Sequence, residues 1–425
     1  MNLKRSFVLF VSLLFLNLLS AEGKILTIED AVRLAKENNI SVKKAENDLD
    51  SLAVQNKYSW NSVSPAAKLN GNFEDDIEND STAFSLSGAV NLSLKTNLYS
   101  EIKGAKLNYE KGLLTYSEAV RQIELSVRKK FYNLIYQKEN LVLQNRSLET
   151  SRAQYLNNEE KFKNGKISEL DAFTSRVNYE SKKPVVESAE INFQNDLATF
   201  KQLLGISQQT EIALDGSLDD FLNLKEISFG LLPKVDEPAP DVKSAEYDVE
   251  IAKNSLLNLR FSAYAPVITG SYSYGKSKKS TQDDWMTTNR LSVGVSVPLD
   301  GILPWSSSAV NIKKQKNALD TAEKVLEDAK TTVAVQTESY IRKINQAVKQ
   351  LDSLKSTEKL AEQTYKMTLA AYNYGKTDFL SLQNANDSVL SAGVNLKSQA
   401  YTLISTILDL ESVLGLEFGT LETKK

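Results

Sequence analysis

Residues 97–164 read NLYSEIKGAKLNYEKGLLTYSEAVRQIELSVRKKFYNLIYQKENLVLQNRSLETSRAQYLNNEEKFKN, a run without proline. Within it Leu113, Val120, Val127, Leu134, Leu141, Leu148, Tyr155 and Phe162 recur at every seventh position. A straight helix drifts off a seven-residue seam by roughly 20° per heptad, so a sustained repeat predicts a helix wound left-handedly against neighbours. At about 1.5 Å per residue such a helix reaches roughly 100 Å, several times the thickness of a small domain. A scaffold or fibrous coiled coil accounts for this stretch taken alone, so the rest of the chain has to decide.

The 425 residues include no Cys and no His, and 51 Lys+Arg stand against 54 Asp+Glu for a formal charge of −3. This composition removes thiolate and imidazole nucleophile–base pairs, nearly all zinc sites and any disulfide framework. Near-neutral charge gives no electrostatic case for nucleic acid. No enzymatic activity, metal site or cofactor is expected. At the N-terminus Lys4 and Arg5 precede the apolar residues 7–19, and the small residues Ser20, Ala21 and Gly23 follow. This predicts a cleaved secretory signal over residues 1–23, too short for a comfortable membrane helix. No Cys near the cleavage point can take a lipid, and no later run is long and apolar enough to span as a helix.

After the signal, Thr27 is placed to cap a helix with Glu29 and Asp30 in its first turn, continuing to about Val63 before Pro65. Val42-Lys43, Ala45-Glu46 and Asp48 recur as Val242-Lys243, Ala245-Glu246 and Asp248, the constant spacing of an internal repeat. After each copy the period switches to two. Phe84, Leu86, Gly88, Val90, Leu92 and Leu94 alternate with small or polar residues, as do Leu291, Val293, Val295, Val297 and Leu299. Candidate strands at 66–74 and 267–275 precede them, with Leu69, Phe73, Ile268, Tyr272 and Tyr274 on one face, giving hairpins over 65–95 and 265–299. Strands of about ten residues suit a tilted membrane β-strand, although a soluble hairpin with one buried face shares the pattern. Four strands cannot close a barrel and lipid tolerates no open edge, so several chains must share one; three copies supply twelve strands.

The long helix over 97–163 has a counterpart over 305–373, where Leu319, Leu326, Val333, Tyr340, Ala347, Leu354 and Ala361 keep the same spacing. Both end at glycine, in Lys163-Asn164-Gly165-Lys166 and Asn373-Tyr374-Gly375-Lys376, as a left-handed helix terminus requires. Return helices are expected over 168–204, where Pro184 predicts a kink, and over 377–414. The domain reading is therefore a first repeat over 24–206, a connector of small strands and turns over 207–239, a second repeat over 240–416 and a short polar tail over 417–425.

These residues resemble the TolC-type outer-membrane efflux family across essentially the whole mature chain. The resemblance rests on Pro240-Asp241-Val242 with Ala245-Glu246, Ala265-Pro266 opening a strand, and Val297-Pro298-Leu299 with Asp300-Gly301, then Tyr372 and Gly375 with Leu380 and Leu382. It implies a mainly α fold with a small membrane β part, long coiled-coil helices forming a trimeric α-barrel, and four β-strands per chain contributing to a twelve-stranded β-barrel. It further implies a homotrimer in the outer membrane with helices in the periplasm. Such a trimer meets a periplasmic adaptor and an inner-membrane pump of the RND, ABC or MFS class, so cargo leaves without entering the periplasm. An exported coiled-coil structural or adhesive protein without a pore is the alternative, and detergent dependence separates the two.

By resemblance, Tyr372 and Asp171 are expected to form a hydrogen bond restraining the closed periplasmic end; packing and a first-turn carboxylate are the plain reading of the same pair. Thr377, Ser381 and Asn384 fall where the family places an arginine of the latch and acidic residues of the narrowest ring. All three are neutral, which predicts weak cation preference unless Asp378 and Asp387 supply charge. Lys163, Asn164, Gly165, Lys166, Gly375 and Lys376 are candidates for adaptor contact. The acidic loop of Glu74, Asp75, Asp76, Glu78 and Asp80, with Asp283 and Asp284 in the other hairpin, reads as solvated surface or as a place for a divalent cation.

Overall fold

A computed structural model of the chain describes residues 24–78, 80–224, 238–281 and 284–421. The predicted signal, the middle of the connector and Asp283 lie outside the described residues. In order, the elements are β1 (Lys24–Leu26), α1 (Ile28–Asn38), α2 (Ile40–Lys57), β2 (Ala66–Asp76), β3 (Ser81–Lys95), α3 (Leu98–Lys163) and α4 (Glu169–Leu204). Then follow β4 (Ile212–Leu214), α5 (Pro240–Tyr264), β5 (Val267–Lys279), β6 (Met286–Ser296), α6 (Ser307–Asn373) and α7 (Phe379–Leu414). The described residues within 24–44, 118–224, 238–239 and 333–421 form one compact unit, here the helical unit, and those within 45–117 and 240–332 form a second, the strand unit. The division cuts across the two repeats expected from the sequence, since each unit draws on both.

The helical unit is built on a core from α1, α3, α4, α6 and α7. Phe131, Leu134 and Ile135 meet Phe200 and Leu204, together with Ile344, Leu351, Leu403 and Ile404, all at most 2% exposed. The seven-residue phase is buried at Val127, Leu134 and Leu141. Burying a side chain such as Phe131 removes on the order of 2–3 kcal/mol of hydration cost, so this short stretch outweighs any polar contact in the unit. Thr27 caps α1, its hydroxyl accepting from the Asp30 amide at 3.2 Å. The expected single helix from Thr27 instead breaks at Asn39, whose backbone is extended (ψ 131°). The Asn39 side chain stabilises the break by donating to the Leu203 carbonyl at 2.8 Å and accepting from the Ser41 amide at 2.8 Å. Two adjacent asparagines carried that signal, because their amides compete with helical backbone bonds.

Pro184 does not end α4, which runs to Leu204. Proline removes the donor to the carbonyl four residues back, but Pro184 and Glu180 are both exposed, leaving that acceptor to solvent. The connector supplies β4, which pairs in parallel with β1, a partner the sequence pattern did not identify. Nor is the tail merely polar. Glu411, fully buried, accepts from the Gly419 and Leu421 amides at 3.0 and 2.7 Å. Arg121 donates to the carbonyls of Glu411 and Leu416 and stacks 4.8 Å over Phe418. Desolvation pushes the Glu411 carboxyl above its usual range, against the opposing pull of those amides and of Arg128 and Arg121.

In the strand unit α5 lies beside the start of α3. Asn254 donates to the Ser100 carbonyl at 2.8 Å, Asn97 donates to Asn258 at 2.8 Å, and Lys111 pairs with Asp248 at 2.5 Å. Gly112 leaves room for Leu52 of α2, whose methyl would stand 2.5 Å from an added Cβ. The two hairpins join into one antiparallel sheet of order β2-β3-β5-β6. Its register aligns the alternation across all four strands, as in Phe73 with Phe84, and Val90 with Tyr272 and Leu291. One face is therefore largely apolar, interrupted toward the hairpin loops by Lys276, Lys278, Thr287 and Asn289, and the other is mostly small and polar. β2 and β6 each keep an edge with no strand partner among the described residues.

Candidate functional site

Two features carry functional weight, one in each unit. In the strand unit the apolar face of the sheet has no cover among the described residues: Leu69, Leu291 and Val293 are 75–77% exposed. Aromatic residues fringe it at both ends. Phe73, Phe84 and Trp285 stand near the hairpin loops, Phe84 and Trp285 in edge-to-face contact at 6.0 Å. Trp60, Tyr99, Tyr264 and Trp305 lie on the segments that join strands to helices, all exposed. An apolar band between two aromatic fringes is the surface a β-structure offers to lipid. No helix among the described residues is long and apolar enough to cross a membrane. The acidic loop brings no group of three or more His, Cys, Asp or Glu within reach of a shared metal among the described residues.

In the helical unit the candidate gate residues gather where α3 meets α4 and α6 meets α7. Gly165 and Gly375 take φ of +68° and +69° and close each helix with paired backbone bonds, Lys166 to the Lys161 carbonyl and Lys376 to the Ala371 carbonyl. Nothing lies within 4 Å of where a Cβ would stand on either glycine, so their requirement is conformational. Lys163, Asn164, Lys166 and Lys376 are exposed, with Lys163 paired to Glu159 at 3.3 Å.

The Tyr372 hydroxyl donates to Asn158 Oδ1 at 2.7 Å, not to Asp171. Asp171 occupies the first turn of α4, where its carboxylate accepts from Ser168 Oγ at 2.8 Å while its amide donates back to that oxygen at 3.1 Å. The aspartate thus spends its bonding on the helix start, and the tyrosine finds a neutral acceptor. Burial pushes the Tyr372 phenol above its usual value; the Asn158 bond opposes this and the Asp171 charge adds to it. Lys161 lies 4.6 Å over the Tyr372 ring.

Asn158 belongs to a polar seam that the apolar repeat concealed. Ser147, Ser151, Gln154 and Asn158 of α3, spaced four, three and four, are all buried, as are Ser175 and Asn178 of α4 and Asn386 of α7. Positions one residue away, Leu148 and Tyr155, follow the seven-residue phase but are only half-buried. Lys182 joins the seam, donating to Ser147 at 2.8 Å and Asp387 at 2.7 Å. Asp387 is thereby paired, and Asp378 is occupied as the cap of α7, accepting from the Ser381 amide at 2.7 Å. That bonding, led by the Ser381 side chain, holds the Asp378 carboxyl below its usual range. Thr377 and Ser381 are half-buried and Asn384 is exposed. Buried polar atoms need partners, yet Asn158 Nδ2 and Gln154 Oε1 have none among the described residues.

Residues 231–416 match the family described as outer membrane efflux protein. Outer membrane protein TolC of Vibrio cholerae serotype O1 is 20% identical over 306 residues, 71% of this chain and 69% of that protein. The fold is shared with the CmeC outer membrane channel of Campylobacter jejuni at a TM-score of 0.77 and 18% identity, over 94% of this chain and 87% of that one. It is likewise shared with the open state of the Neisseria gonorrhoeae MtrE outer membrane channel at 0.70 and 18%, over 92% and 89%. VceC of Vibrio cholerae gives 0.72 at 13% identity, over 92% and 96%. The second half of the chain thus matches the outer membrane efflux protein family, and the chain shares the fold of these outer membrane channels nearly end to end.

Proposed function

We propose that the chain is the exit duct of a tripartite efflux or one-step secretion system, working as a homotrimer in the outer membrane after removal of residues 1–23. Its repeats, 24–206 and 240–416, are a duplication whose hairpins build one β-barrel shared by three copies. The observation that carries this reading is the four-stranded sheet with an exposed apolar face and two edges that have no strand partner among the described residues. Such a sheet is costly in water and intolerable as an open edge in lipid, and closure with sister sheets relieves both problems. β2 and β6 run in opposite directions across the antiparallel sheet, so a β6 edge meets a neighbour's β2 edge in the same antiparallel sense as the other pairings.

The helix turns at Gly165 and Gly375 serve as the docking point for a periplasmic adaptor, with Lys163, Asn164, Lys166 and Lys376 as contacts, and an inner-membrane pump feeds the duct. Tyr372 and Asn158 restrain the closed state, with Thr377, Ser381 and Asn384 near the constriction. Mass measurement of the detergent-extracted protein tests the assembly, and planar-bilayer recording tests the pore. Trimers that insert as channels are the expected result. A monomer that stays soluble in plain buffer with both hairpins folded would overturn the reading.

A further inference from the structure

We propose that the duct carries a cationic girdle midway along its β-barrel and favours anionic solutes there, the inference resting on the shared-barrel reading above. The register sets Lys68, Ala89, Ser273 and Arg290 in a single row across the four strands. Lys68 and Arg290 occupy the two edge strands of that row, on the polar face. The same register places Asn70, Ser87, Gly275 and Thr288 in the row on one side and Ala66, Asn91, Ser271 and Ser292 in the row on the other.

From the row of Asn72 to that of Ser93 the polar face carries no carboxylate, and Lys68 and Arg290 are its only charges. Both residues are exposed, and neither forms an ion pair among the described residues. The carboxylate next along β2 on this face is Glu74, whose row includes Lys279. It stands six residues from Lys68, about 20 Å at strand rise, beyond the roughly 8 Å over which salt screens a charge. Lys95, near the opposite end, adds positive charge.

Closure turns this row into rings. Strand spacing of about 4.8 Å and a tilt near 40° give a twelve-stranded barrel a backbone radius of about 12 Å, with Lys68 and Arg290 separated by roughly 9 Å along its axis. Threefold repetition then makes one ring of three lysines and one of three arginines. Extended side chains of about 6 Å bring the charges within a screening length of the axis, so the field spans the lumen and no solute escapes it. Ala89, Ser273 and Gly275 beside them are small, and the cations have no competing bulk to lie against. Arginine's planar fork further suits carboxylate or phosphate oxygens. The chemistry recognised is a carboxylate- or phosphate-bearing solute.

The test is planar-bilayer recording of the full-length trimer with inorganic tripolyphosphate added on the hairpin-loop side. Block by the polyanion is expected in the unaltered protein, with the half-blocking concentration raised at least tenfold in the double variant Lys68→Gln/Arg290→Gln. The chloride-to-potassium permeability ratio should fall at least threefold in that variant. The swap Lys68→Arg/Arg290→Lys keeps charge and should keep both properties, which also shows that the positions tolerate replacement. Channels whose block and permeability ratio are the same in the unaltered protein and the double variant would overturn the girdle while leaving the duct intact. Absence of channels from unaltered and swapped protein alike would overturn the duct, and the girdle with it.

Discussion

Replacing Tyr372 with Phe deletes one oxygen and leaves the rest of the contact in place, because the ring keeps its packing against Phe379 at 6.0 Å and its place under Lys161. The loss falls on Asn158. That residue is 0% exposed, its Nδ2 already lacks an acceptor, and the lost hydroxyl would leave Oδ1 without its donor as well. A typical hydrogen bond contributes about 0.5–1.5 kcal/mol, but stranding its buried partner costs about 1–3 kcal/mol. A loss near 2 kcal/mol follows, which is about a 30-fold rise in the opening equilibrium of the helices at this point. Amide hydrogen exchange in detergent reads it directly, as faster exchange in α3 around Asn158 and in α6 around Tyr372, with the core around Phe131 unchanged. The double variant Tyr372→Phe/Asn158→Leu removes both polar partners and should recover at least about half of the loss, since paired apolar replacement is nearly neutral. Strictly additive losses, or exchange unaltered by Tyr372→Phe alone, would refute the reasoning. If the contact also restrains a closed pore, open probability in bilayers rises with the same ordering of variants.

Three further outcomes are expected. Gly205→Ala should lower the melting temperature more than Gly375→Ala: both pay left-handed strain of about 1–2 kcal/mol, but at Gly205 the added Cβ also meets the Asn38 carbonyl oxygen at 2.7 Å, whereas Gly375 faces open space. Glu411 has a folded-state value above that of the unfolded chain, so its contribution is full below the ordinary carboxylate range and is lost as pH rises through the raised value. Thermal unfolding followed between about pH 4 and 7 should show that slope, and Glu411→Gln should flatten it. Val293→Arg on the apolar face should impair insertion into bilayers by about 2–4 kcal/mol, whereas Ser292→Arg on the polar face should not; the folded, heat-modifiable gel band reports both.

Much of the architecture was legible because periodicity is a direct imprint of what a residue faces. The seven-residue phase located α3 and α6 to within one or two residues, and alternation located all four long strands. What stayed hidden was polar. The seam at Ser147, Ser151, Gln154 and Asn158 has coiled-coil spacing, but a search for apolar repeats settles on Leu148 and Tyr155 next to it. For that reason Tyr372 was matched to Asp171 by resemblance, when its acceptor is an asparagine buried on the facing helix. The break at Asn39 and the pairing of β1 with β4 depend on contacts far along the chain, 164 residues in the case of Asn39 and Leu203. Local pattern has no access to such partners. Glu411 is a further case, since nothing in its local sequence shows that its carboxylate is enclosed and accepts from the Gly419 and Leu421 amides.

The two open edges of the sheet have a consequence for how the protein comes into being. On the shared-barrel reading, a single chain would display backbone donors and acceptors along β2 and β6 beside a greasy face, so any partial assembly would leave at least one such seam raw. Intermediates are therefore the costly species, and joining should be steeply dependent on concentration, with few long-lived dimers. On that reading an unassembled subunit would be a template for wrong partners, and the cell would have reason to shepherd it to its place of assembly.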